Sequence, residues 1–128
     1  MQGYRKMKPA AERSAARRQR ENDAPRLNRE VPGLMSLRLA IEERSTGHVV
    51  STPRYLRHIM VGNAPALFLV PCGDPRCDGG HDVTHEIMGA LRSGNETFKG
   101  EDGCHGLAGT APCPRVVHYE ASAQYQGA

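Results

Sequence analysis

The feature that most constrains this fold is the arrangement of its four cysteines, which lie in two pairs within Gly- and Pro-rich segments. Cys72 and Cys77 are separated by four residues, and Cys104 and Cys113 are separated by eight. Each short loop can direct two thiolates at one point, and the long segment between the pairs lets them meet in space. The pattern therefore predicts one zinc ion held by all four cysteines, and a fold that brings the two loops together.

A metal centre would matter to this chain because its core is modest. The 128 residues include no Trp, two Phe and four Tyr, and a chain of this length buries roughly two-thirds of its unfolded surface. Structural zinc contributes about 10–16 kcal/mol of apparent binding free energy in small peptides, whereas the net stability of a domain is typically about 5–15 kcal/mol. We therefore expect the domain to depend on its metal.

Three other arrangements of the cysteines compete with a zinc centre. Two disulfides are possible, but the N-terminus shows no apolar segment typical of a secretory signal, and a reducing compartment disfavours them. An iron–sulfur cluster also takes four cysteines, although these spacings match neither common ferredoxin pattern. Unconnected buried thiols fit poorly, because all four cysteines lie in polar loops and not in the apolar runs.

His81 is an alternative metal ligand, since it follows Cys77 by four residues. If it replaced Cys113, the ion would still have four protein ligands. A site built from Cys72, Cys77 and His81 alone would instead leave a coordination position for water, which is the arrangement of a catalytic zinc. The sequence therefore keeps open an alternative function, that of a zinc-dependent hydrolase-type enzyme.

One short segment invites comparison with a catalytic motif. His85 and Glu86 match the first half of the HExxH helix of zinc metalloproteases, in which two histidines one turn apart bind the metal. The comparison fails because Gly89 stands where the second histidine is required. We therefore name no catalytic residue and favour a protein that is not an enzyme.

Alternating apolar residues predict several strands. Leu37, Leu39 and Ile41 alternate with polar or small residues, which is typical of a half-buried strand. Two further runs, at 55–61 and 66–70, are separated by a short Gly/Asn/Pro turn and predict a hairpin. The segments 96–102 and 115–125 complete the set of strand candidates.

The best helix candidate covers residues 82–92. Val83, Ile87 and Leu91 recur at intervals of four, Asp82 is a suitable N-cap, and Gly94 is suitable just beyond the end. Together these patterns predict an α+β fold, with a small antiparallel sheet of about four to five strands and one main helix, stapled by zinc.

The charge of the chain is divided unevenly. Residues 1–30 contain nine Lys/Arg and four Asp/Glu, whereas residues 31–128 contain eight and ten. The segment 10–22 consists of good helix formers but has no apolar stripe. We therefore predict a basic, flexible arm at 1–30, largely disordered or transiently helical, before a zinc-stabilised domain at 31–128.

The basic arm suggests what the protein binds. Its cations could neutralise several phosphates, which would give salt-sensitive and sequence-independent attraction to nucleic acid; an acidic protein or ribonucleoprotein surface is the other candidate partner. The predicted contact residues are Arg5, Lys6, Lys8, Arg13, Arg17, Arg18 and Arg20.

The hydropathy of the chain gives no sign of a membrane protein. No apolar run approaches the ~20 residues of a membrane-spanning helix, and the longest, at 64–72, is interrupted by two prolines. We expect a cytoplasmic protein that does not associate with membranes. The sequence as a whole predicts a zinc finger-like, non-enzymatic binding module, and it leaves the oligomeric state and the identity of the partner open.

Overall fold

The computed structural model describes most of the chain, namely residues 10–45, 55–73, 77, 79–104, 106–108 and 111–127. These residues form an α+β fold, which confirms the predicted class. The elements in chain order are α1 (Ala10–Asp23), α2 (Leu27–Glu30), β1 (Leu34–Ser45), β2 (Tyr55–Ile59), a 3₁₀ turn (Val61–Asn63), β3 (Leu69–Pro71), β4 (Gly80–Asp82), α3 (Thr84–Arg92), β5 (Thr97–Gly103), β6 (Leu107–Ala108), β7 (Ala111–Pro112) and β8 (Arg115–Tyr125).

A four-stranded antiparallel sheet in the order β2-β1-β8-β5 forms the main layer. Its long central pair places Leu37 opposite Ala123 and Ile41 opposite Tyr119. Side chains alternate between the two faces of a strand, so Leu37, Leu39 and Ile41 are buried together as the period-2 pattern predicts. The predicted last strand is present as β8, and it buries alternate residues against the same core.

Helix α3 contributes buried side chains to the same core as the sheet. Ile87 and Leu91 are buried, as the predicted stripe requires. The helix begins at Thr84, because Asp82 still belongs to β4 and accepts a hydrogen bond from the Thr84 N–H at 3.0 Å. Gly94 has a φ of 76°, the left-handed conformation expected for a glycine that ends a helix.

The predicted hairpin between residues 55–61 and 66–70 is wrong. Strand β2 pairs with β1, and β3 pairs with β4, where Val70 lies opposite His81. The reason is the position of Phe68, whose side chain is almost completely buried. Its backbone N–H donates to the Thr84 hydroxyl, and its carbonyl accepts from the Val83 N–H, at the start of α3. The apolar run therefore enters the core and does not turn back on β2.

The N-terminal segment contains two helices in its described part. Leu27 of α2 is fully buried, and its N–H donates to the Ala64 carbonyl at 2.8 Å. The division of the chain at residue 30 stays a prediction, although Leu27 on the arm side packs within the core. No helix formed by the described residues is long and apolar enough to cross a bilayer.

Candidate metal centre

Two hairpin ends carry the four cysteines. Cys72 directly follows β3, and Cys77 lies three residues before β4, so both belong to the end of the β3–β4 hairpin. Cys104 directly follows β5, and Cys113 lies two residues before β8, so both belong to the connection between two paired strands. The fold thus brings together two loops that are far apart in sequence, as the spacing predicts.

The spacing of the four sulfurs fits a single metal ion. All four Sγ atoms lie within 4.8 Å of one another. The Sγ atoms of Cys77 and Cys104 are 3.5 Å apart, and those of Cys72 and Cys113 are 3.7 Å apart. A tetrahedral site with Zn–S bonds of ~2.3 Å has sulfur–sulfur edges of about 3.8 Å. These separations also exceed the ~2.05 Å of a disulfide, and the four thiols are free. Four cysteines in this arrangement could hold a metal ion.

The same short turn occurs on both sides of the site. The Gly79 N–H donates to the Cys77 sulfur at 3.3 Å, and the Gly106 N–H donates to the Cys104 sulfur at 3.4 Å. Each turn therefore has the form Cys-x-Gly and aims a backbone N–H at a cysteine sulfur. Such a bond would be stronger if the sulfur bound a metal as a thiolate, because hydrogen bonds to charged acceptors are stronger than neutral ones.

The two glycines also bring the turns into direct backbone contact. A Cβ on Gly106 would lie 2.5 Å from the Cα of Gly79 and 2.9 Å from the Cys77 sulfur. Neither position can carry a side chain without moving the other turn, because such separations are far below van der Waals contact. The close approach of the two turns explains why glycine follows both cysteines at the same interval.

The thiols differ in their acidity. Burial raises the pKa of Cys104 to about 12, partly offset by the Gly106 N–H and reinforced by the Cys77 sulfur. Burial also acts to raise the pKa of Cys113, but hydrogen bonds from the Arg115 N–H and the other thiols outweigh it and lower that pKa. A bound divalent cation would lower the pKa of all four thiols, because it would stabilise each of them as a thiolate.

His81 lies outside the sulfur cluster. Its side chain is fully buried, and its Nε2 lies 2.8 Å from Oε2 of Glu43. Its Nδ1 faces Asp102, with Oδ2 at 3.6 Å. The imidazole therefore lies between two carboxylates. The group of ligand atoms that could hold a metal consists of the four cysteine sulfurs and does not include His81.

Glu43 connects the two cysteine loops to the central strand of the sheet. Its Oε1 accepts a hydrogen bond from the Gly73 N–H at 2.9 Å, one residue after Cys72. The same oxygen accepts a hydrogen bond from Arg115 at 3.0 Å, two residues after Cys113. Burial acts to raise the pKa of Glu43, but His81, the Gly73 N–H and Arg115 together lower it below its ordinary value. The side chain is thus held as a carboxylate that positions both loops.

Sequence reasoning missed Glu43, although a signal was present. The alternation that buries Leu37, Leu39 and Ile41 continues at residue 43, which must point into the core. A carboxylate at an inward position requires partners, because an unpaired buried charge is costly. Those partners, His81 and Arg115, lie 38 and 72 residues away along the chain.

The predicted contact residues on α1 differ in exposure. Arg13 and Arg17 are half-buried, whereas Arg18 and Arg20 are exposed. Arg20 lies 3.5 Å from Asp82 of the β3–β4 hairpin, where both side chains are about half exposed. Arg5, Lys6 and Lys8 lie outside the described residues.

No protein-family model matches the chain, and neither a curated protein nor a solved structure matches it. Function is therefore inferred from the geometry and chemistry of the site.

Proposed function

We propose that this protein is a non-enzymatic zinc-binding module whose basic N-terminal segment binds nucleic acid. The observation that carries the proposal is the set of four cysteine sulfurs within 4.8 Å of one another. Zinc is the metal proposed, because four thiolates in tetrahedral arrangement favour zinc or iron–sulfur chemistry, and sulfurs this close leave room for a single ion. The residues that would hold it are Cys72, Cys77, Cys104 and Cys113.

A structural role is favoured over a catalytic one by the ligand count. Four thiolates complete the coordination of zinc and leave no position for water or substrate. An open site of Cys72, Cys77 and His81 is disfavoured, because neither ring nitrogen of His81 belongs to the group of ligand atoms that could hold a metal. Its Nε2 lies at hydrogen-bond distance from Glu43, and its Nδ1 faces Asp102 at 3.6 Å. A reducing compartment such as the cytoplasm fits a centre that requires free thiols.

The basic segment supports nucleic acid as the partner. In its described part, α1 carries four arginines, Arg13, Arg17, Arg18 and Arg20, against three carboxylates, Glu12, Glu21 and Asp23. Guanidinium groups contact phosphates in bidentate geometry, and each contact releases counterions. An acidic protein would satisfy the same charges, and the test below separates the two partners.

The metal and the partner are tested separately. Native mass spectrometry should give a mass one zinc ion above that of the chain, and a chelator should remove the difference. Binding of the partner is measured by fluorescence anisotropy, with a labelled 20-nucleotide single strand and with a polyglutamate peptide of similar charge. We expect salt-dependent binding of the nucleic acid and weaker binding of the peptide. Tight binding of the peptide alone would assign an acidic protein as the partner, and a metal-free folded chain would overturn the zinc module.

A further inference from the structure

A groove lies between helix α1 and the β3–β4 hairpin, directly beside the metal centre. It encloses about 470 Å³, within the range of ~300–1,000 Å³ typical of ligand pockets. One wall is formed by α1, and the other by the hairpin, including the ligand residues Cys72 and Cys77. This space is distinct from the position between the four sulfurs, where a metal ion would lie.

The α1 wall of the groove is cationic. Arg13, Arg17 and Arg20 all line it, and their spacing of four and three residues places them along one side of the helix. Arg18 follows Arg17 directly but is exposed and does not line the groove. Among the described lining residues, the carboxylate belongs to Asp82, and it lies closest to Arg20 at the end of the row.

We propose that this groove binds a backbone phosphate of a nucleic acid strand, held by Arg17 on the α1 wall beside the four-cysteine cluster. The inference rests on the proposed function. It assigns the phosphate to a defined site, whereas the proposed function requires only a general electrostatic attraction between the nucleic acid and the basic segment. Among the described lining residues, the carboxylate of Asp82 lies closest to Arg20, whereas the half-buried Arg17 presents its guanidinium group to the groove. A cation at this position favours an anion, and a phosphate matches the planar, forked geometry of Arg.

Arg17 and Arg18 provide a matched pair for the test. Arg17→Gln and Arg18→Gln remove the same charge from neighbouring positions of one helix, and Gln is about as good a helix former as Arg. Binding of a labelled 20-nucleotide single strand to the full, zinc-loaded chain is measured by anisotropy from 50 to 300 mM salt. We expect Arg17→Gln to weaken binding about tenfold and to reduce the slope of log K against log salt by roughly 0.7. Arg18→Gln should change the affinity less than about twofold.

The outcomes separate the groove from the function on which it rests. Equal effects of the two substitutions would overturn the groove, while the general role of the basic segment would stand. Absence of binding by the unmodified chain would overturn both. If Arg17→Gln reduced zinc affinity but left oligonucleotide binding unchanged, the groove arginines would instead compensate the charge of the thiolates, and the phosphate site would be rejected.

Discussion

The Nε2 atom of His81 lies 2.8 Å from Oε2 of Glu43, and both side chains are buried. This contact pairs His81, which stands four residues after a cysteine, with a carboxylate outside the sulfur cluster. It also completes the surroundings of a carboxylate whose other oxygen bonds to Gly73 and Arg115, next to the two cysteine loops. The four-cysteine cluster is consequently attached to β1, a central strand of the sheet.

Removal of the metal should unfold the domain. Structural zinc contributes about 10 kcal/mol or more in small peptides, which is comparable to the whole stability of a domain at about 5–15 kcal/mol. We expect chelation to abolish the cooperative thermal transition measured by circular dichroism, and one equivalent of zinc to restore it. A metal-free chain that melts at the same temperature would contradict this dependence.

Substitution of Cys113 distinguishes the closed site from the open one. Its sulfur lies 3.7 Å from that of Cys72, so we expect Cys113→Ser to lower the zinc content of the purified chain under competition with a chromogenic chelator. His81→Ala should retain one zinc per chain under the same conditions. The reverse pattern, with zinc retained in Cys113→Ser and lost in His81→Ala, would favour the open site with His81 as a ligand.

The pair of His81 and Glu43 should contribute to stability. Removing one partner of a buried hydrogen bond costs about 1–3 kcal/mol, and more when the group left behind is charged. We expect His81→Ala at saturating zinc to lose roughly 3 kcal/mol of unfolding free energy in urea titrations. His85→Ala is the control, since His85 is exposed on α3, and it should change that free energy by less than about 0.5 kcal/mol.

Glu43 should tune the affinity for zinc without binding the ion. Partners that orient ligand loops typically affect metal affinity by about 10- to 100-fold, and we expect an effect of this size in Glu43→Gln, measured by competition with a chelator. Glu42→Gln is the matched control on the same strand, because Glu42 points to the opposite face and pairs with Arg44. Equal affinities of the two variants would show that the link from strand to loops is dispensable.

The contact between the two Cys-x-Gly turns should not tolerate a methyl group. A Cβ on Gly106 would lie 2.4 Å from the Gly79 nitrogen, and such overpacking costs about 1–3 kcal/mol. We expect Gly106→Ala to lower zinc affinity by at least about tenfold. Gly103→Ala, one residue before Cys104 with nothing within 4 Å of the added Cβ, should bind zinc as the unmodified chain does; equal losses in both would place the cause in the backbone and not in the contact.

The sequence by itself determined the local elements and the pairing of cysteines into loops. Period-2 burial marks β1 and β8, and the spacing of Ile87 and Leu91 marks α3, because a strand or helix shows its buried face in a few consecutive residues. The Cys-x-Gly turns are local for the same reason, since each N–H bonds to a sulfur two residues away.

Only the tertiary structure decided the long-range partners. That β2 pairs with β1 and not with the run at 66–70 follows from the burial of Phe68 against α3. That His81 contacts a carboxylate and lies outside the sulfur cluster depends on Glu43, 38 residues earlier. Such contacts depend on how whole helices and strands pack, and residues so far apart in sequence produce no periodic pattern that would predict them. They decide which reactive side chains lie in the four-cysteine cluster.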